Sequence, residues 1–217
     1  MISQIINLLA AILLLLSFAM LTQRRILSLI NLFALQGLTL TLSTLVVAWS
    51  TGQHHLYYSA ALTFVLKVLI LPWVLHRLIR KLNVKWDVET LINIPTTMLV
   101  GIALVILAFN VALPISQLAG TITKSTLGIA LACVLLAFLT MITRSKAVPQ
   151  VIGFLAMENG LVFAATSATY GMPMVVELGV ALDLLIAAFI FGIFFFHINT
   201  TFDSLDVDQM ARLKEGD

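Results

Sequence analysis

Three ionisable side chains, Lys67, Glu158 and Asp183, lie deep inside apolar runs of this 217-residue chain. Each costs roughly 2.5 kcal/mol or more at the centre of a membrane helix, so such groups usually face protein or water and mark ion pathways. An ammonium moved relative to a carboxylate changes that carboxylate's proton affinity, which is a coupling element for a pump. The alternative is a fixed ion pair that only joins helices. Lys67 stands nine residues before His76 and Glu158 nine after Pro149, each counted from the same end of the segments. At about 1.5 Å per residue, both lie about 13 Å from that boundary. Asp183 comes from the other side, ten residues after Pro173, and reaches about 15 Å, so the three can share one layer.

Other residues extend the set of proton-relay candidates. Asp183 and His197 are fourteen residues apart and fall on one helical face, which offers a path from the midplane toward the boundary; a histidine that merely marks a helix end is the simpler reading. Glu177, one turn inside the opposite boundary, is either an exchange group or a carboxylate snorkelling to water. Pro72 cannot donate to the carbonyl of Val68, so a kink and an unpaired acceptor are expected beside Lys67.

The elements that position these groups follow from composition. Hydrophobic residues make up 61% of the chain and charged ones 10%, with a mean hydropathy of +1.09, against roughly 25% charged in an ordinary soluble domain. Runs long enough to cross about 30 Å of hydrocarbon occur at 2-22, 26-49, 56-78, 91-114, 125-143, 149-170 and 173-198. They lack the alternation of barrel strands, so the expected fold is all-α, a polytopic membrane protein of about seven transmembrane helices. The net charge of +2 gives no nucleic-acid surface, because the basic residues flank helices. Arg24 and Arg25, then Arg77, Arg80, Lys81 and Lys85, then Arg144 and Lys146 mark three connections as cytoplasmic, with Lys124 the exception. The N-terminus is thus expected outside and the C-terminus inside. Ser17, Phe18 and Ala19 loosely imitate a signal-peptide cleavage site, but the arginines follow the apolar run instead of preceding it, as in an uncleaved helix.

No linker or soluble insertion interrupts the chain, which divides into a membrane domain over 1-198 and an acidic cytoplasmic tail over 199-217. The tail is either solvated or docks on a partner through Phe202, Leu205, Met210 and Leu213. A weak internal duplication is suggested by ALQGL at 34-38 and MENGL at 157-161, each on a helix that leaves a basic loop. Gly153, Ala156 and Gly160 form a smooth strip opposite Glu158. Both faces of that helix must then meet protein or water, which points to a large assembly. One cysteine, Cys133, cannot hold an iron–sulfur cluster and reads as a small packing residue. His76 and His197 could jointly ligate a haem, although helix ends enclose a macrocycle poorly. No nucleotide loop, metal-ligand spacing or hydrolase elbow appears.

The segment VIGFLAMENGLVF, Val151 to Phe163, followed by a helix with a central acid and an inner histidine, resembles subunit K of respiratory NADH–quinone oxidoreductase. That family carries a central glutamate in each of two neighbouring helices, in a setting like IGLE followed by NA. Ile152 and Gly153 match it; Leu155 occupies the first glutamate's place, Glu158 sits one turn further on, and Asp183 falls near the level of the second. In length and helix number nearly the whole chain is similar to hydrogenase-4 component E of group 4 nickel–iron hydrogenases. The resemblance implies a non-catalytic subunit in a bacterial or archaeal cytoplasmic membrane, beside antiporter-like subunits and a hydrophilic redox arm. The nickel–iron centre and iron–sulfur clusters would be on those partners and no cofactor on this chain. A small membrane component of multi-subunit cation/proton antiporters is the next relative. It would imply ion exchange without redox chemistry, and a purely structural scaffold is the third possibility.

Overall fold

A computed structural model describes residues 2–82, 90–118 and 124–169, with the single helical positions 181, 185, 189 and 192. Six helical rods account for nearly all of the described residues. They are α1 (Ile2–Thr22), α2 (Ile26–Thr51), a composite α3, α4 (Ile94–Leu118), α5 (Lys124–Ile142) and α6 (Ala147–Thr169). The composite rod joins His55–Thr63, the π-helical Phe64–Ile70 and Leu71–Leu82 end to end. Five rods are long and apolar enough to cross a bilayer, and α5 carries a shorter apolar stretch, Thr126–Ile142. The chain is therefore an all-α, multi-pass membrane protein. The seventh expected span, 173-198, lies outside the described residues apart from those four positions, as does the tail.

Aromatic side chains place the bundle against a bilayer. Exposed Trp49, Tyr57 and Tyr58 gather at one end of α2 and α3, and exposed Trp73 lies toward the other, its ring 5.4 Å from the Arg77 guanidinium, as in interfacial belts. α3 runs further than expected, to Leu82, so Arg77, Arg80 and Lys81 are helical instead of belonging to a loop. Outside hydrocarbon nothing stops the helix, and cations in its last turn favour the dipole. At the other end of α2, Gly52 adopts φ +66° and donates its N–H to the Ala48 carbonyl, a left-handed cap that turns the chain back.

α2 touches α1, α3 and α6, while α5 packs on α1, α4 and α6. The α5–α6 contact is close because it uses glycine: a Cβ at Gly160 would stand 2.9 Å from Val134 Cγ2, and one at Gly153 would stand 2.8 Å from Met141 Cγ. Small residues of this kind let helices approach where lipid offers no hydrophobic driving force. Cys133 is buried on α5, clustered with Ala10 and Leu13 of α1.

Arg144 does more than mark topology. Its side chain is fully buried. Nη1 donates to the Gln23 carbonyl at 2.9 Å, and Nη2 donates to those of Met20 and Leu21 at 2.9 and 2.7 Å. The α5–α6 connection thereby closes the end of α1, where carbonyls have no helical partner and the dipole favours a cation. Burial pushes the guanidinium down to about 10, which leaves it charged at neutral pH. On the same connection, Gln150 donates to the Arg144 carbonyl and the Leu91 N–H to that of Thr143. Replacing Arg144→Gln is expected to cost about 3 kcal/mol, since charge-assisted bonds are lost and carbonyls stay buried. Unfolding of the purified chain in detergent measures it, with the exposed Arg24→Gln expected to change little.

Candidate functional site

Two of the three midplane charges meet. Lys67 Nζ donates to Glu158 Oε1 at 3.0 Å and to Asn159 Oδ1 at 2.8 Å, and both charged side chains are largely enclosed, at 6% and 13% exposure. Lys67 belongs to the π-helical part of α3. One such bond runs from the Leu71 N–H to the Leu66 carbonyl, so the wide turn lies immediately before the proline that interrupts the ladder. Pro72 itself continues the helix, and its carbonyl lies 3.2 Å from His76 Nδ1.

The wide turn is pressed against α2 at a residue with no side chain. A Cβ on Gly37 would come 3.1 Å from Lys67 Cβ and 3.5 Å from the Lys67 backbone. The contact brings the root of the lysine side chain against α2, from where its ammonium reaches α6.

A chain of polar groups continues from the pair. Asn159 Nδ2 donates to Gln36 Oε1 at 3.2 Å, Gln36 Nε2 to Ser17 Oγ at 3.0 Å, and Ser17 Oγ to the Leu13 carbonyl at 3.0 Å. Each donor points away from Lys67. The string therefore aligns its dipoles with the ammonium, linking four helices through buried groups that are satisfied in series. Amides hold their protons, so Asn159 and Gln36 hold the charge in place and do not conduct. The ionisable members of the string are Lys67 and Glu158. Glu158 Oε2 is buried and has no hydrogen-bond donor among the described residues, which leaves one strong acceptor for a proton or water.

Of the sequence-derived candidates, Lys67 and Glu158 come together beside Pro72, whereas Asp183, Glu177 and His197 lie outside the described residues. Asn159, Gln36 and Ser17 escaped sequence reasoning, although Gln36 and Asn159 occupy matching places in ALQGL and MENGL. Ser17 drew notice only for its loose likeness to a signal-peptide cleavage site. Both faces of α6, expected to be hard to cover in a lone bundle and easy in a large assembly, meet protein within this chain. α5 covers its glycine side, and α2 and α3 receive Asn159 and Glu158 within this chain. Among the described residues, no three His, Cys, Asp or Glu side chains cluster as metal ligands.

Known proteins resemble this chain over most of its length. It is 25% identical over 212 residues to hydrogenase-4 component E of Escherichia coli K12, covering 98% of each protein. The component E of Shigella flexneri aligns equally well. An uncharacterized protein of Mycobacterium tuberculosis is 29% identical over 194 residues, 89% of this chain and 88% of that protein. No family model matches, and no solved structure matches.

Cutting one partner from a buried ion pair leaves the other uncompensated. Lys67→Met is therefore expected to destabilise the chain by about 3–5 kcal/mol, and Lys67→Met combined with Glu158→Gln by clearly less than the two single losses summed. Unfolding measurements on the four members of the cycle check this.

Proposed function

We propose that this chain is a non-catalytic membrane subunit of an energy-converting redox complex, of hydrogenase type, and that its midplane charges take part in proton translocation. The observation that carries the reading is the enclosed Lys67–Glu158 pair. It is held by a wide helical turn and keeps one carboxylate oxygen unmatched among the described residues. Similarity to hydrogenase-4 component E over 98% of both chains supports the choice of complex.

In this reading Glu158 exchanges the proton, and Lys67 controls it by approach and withdrawal: an ammonium 3.0 Å away favours the carboxylate, and its departure favours the acid. Asp183 is the third midplane group, with Glu177 and His197 toward the two surfaces. Antiporter-like membrane subunits and a hydrophilic redox arm are the partners, lipid surrounds the rest, and the nickel–iron centre and iron–sulfur clusters belong to those partners. The chain lies in a bacterial or archaeal cytoplasmic membrane, N-terminus outside and tail inside. The two matching segments are remnants of a duplication.

Glu158→Gln and Asp183→Asn are expected to leave the complex assembled, as judged by co-purification. Proton movement coupled to electron transfer in sealed vesicles should fall about tenfold or more. Unchanged pumping in both variants would make the chain a scaffold. Co-purification with cation-transport subunits and no redox partner would make it part of an antiporter.

A further inference from the structure

The buried pair is not enclosed evenly. Toward the basic loops, α2, α3 and α6 surround it with one continuous apolar cluster that includes Ile30, Phe33, Leu71, Leu75, Ile152 and Leu155. On α6 that cluster runs from Leu155 back to Ala147, about 12 Å along the helix. Every buried hydroxyl described on these three helices lies on the other side of the pair, among them Thr41, Thr44, Ser59 and Thr166. Thr41 and Thr44 follow Gly37 on one face of α2 at one and two turns, and Gly37 is the residue that abuts Lys67. Thr63 and Ser59 precede Lys67 at similar intervals on α3. The seam between α2 and α3 is thus hydroxyl-lined on the side away from the basic loops.

These hydroxyls keep acceptor capacity. Thr41 donates to the Gly37 carbonyl at 2.9 Å and Thr44 to the Leu40 carbonyl at 3.0 Å. Each oxygen is left with lone pairs that can accept from water or hydronium. At the far end Val47, Ala48 and Leu56 form a thin apolar layer, slight beside the long cluster opposite. A polar, hydroxyl-lined seam admits water far more readily than a packed apolar one.

We infer that the Lys67–Glu158 pair exchanges protons with the aqueous phase opposite the basic loops, through the α2–α3 seam. The apolar cluster on the other side is the seal. The inference rests on the proton-handling role proposed above and gives it a direction. Water is the carrier and the seam hydroxyls are positioning groups.

The test is cysteine accessibility in the full-length chain within its assembled complex. Cys133→Ala removes the single native thiol; Thr63→Cys and the near-isosteric Ser59→Cys probe the seam, and Leu71→Cys and Leu155→Cys probe the seal. Each variant that co-purifies with the complex is treated, in sealed vesicles of both orientations, with a charged, water-soluble methanethiosulfonate. Seam cysteines are expected to react more than an order of magnitude faster than seal cysteines, and only with reagent on the side opposite the basic loops. Equal rates, faster labelling of the seal, or an unreactive seam would each overturn the route. Labelling reads wetting and not turnover. A reactive seam with unimpaired pumping in Glu158→Gln sinks the proton role alone, whereas impaired pumping with an unreactive seam sinks the route alone.

Discussion

The ion pair between Lys67 and Glu158 sets the terms for the rest of the bundle. Removing two charges from water costs several kcal/mol per ion, and their attraction offsets that cost only with close geometry and further hydrogen bonds. The neighbouring features meet those conditions. Gly37 allows α2 to reach the lysine's backbone. Asn159 takes a second ammonium proton, and Gln36 and Ser17 satisfy Asn159 in turn. Only Glu158 Oε2 has no donor among the described residues. Among the described residues, the pair is thus held on the lysine's side by a series of hydrogen bonds and leaves one carboxylate oxygen of Glu158 without a donor.

Around this layer α2, α3 and α6 divide their work by height. Toward the basic loops, packing is apolar and continuous, and Arg144 ties the ends of α1, α5 and α6 together. Toward the other surface these three helices carry their buried hydroxyls, which accept hydration more readily than apolar side chains. Three helices packed with apolar side chains on one side of the pair and carrying hydroxyls on the other are suited to admitting water from a single side.

Much of this was legible in the chain itself. Helix boundaries followed from apolar run length, and the six described rods begin and end within four residues of expectation, the largest differences being the ends of α3 at Leu82 and of α4 at Leu118. Equal depth for Lys67 and Glu158 followed from counting residues to the segment ends, and the two groups do lie 3.0 Å apart. What stayed hidden depended on lateral arrangement. An amide or hydroxyl within an apolar helix carries little signal alone, so Gln36, Asn159 and Ser17 passed unremarked until neighbouring helices turned them toward one another. Arg144 was hidden for a different reason: a basic residue in a short connection reads as a topology marker, and only folding shows that it turns inward to collect carbonyls.

The π-helical stretch in α3 also bears on how this sequence can vary. A turn of that width holds about one residue more than an α-helical turn over the same height. A single deletion between Phe64 and Ile70 would let the rod close without shortening its span appreciably. The segments on either side would keep their phase, so Ser59 and Thr63 would stay on the α2 seam, while the residues inside the turn, Lys67 among them, would be re-aimed. One codon at this place can turn the charge away from its partners and leave the hydroxyl lining where it is, an indel whose effect an ungapped comparison of homologues would miss.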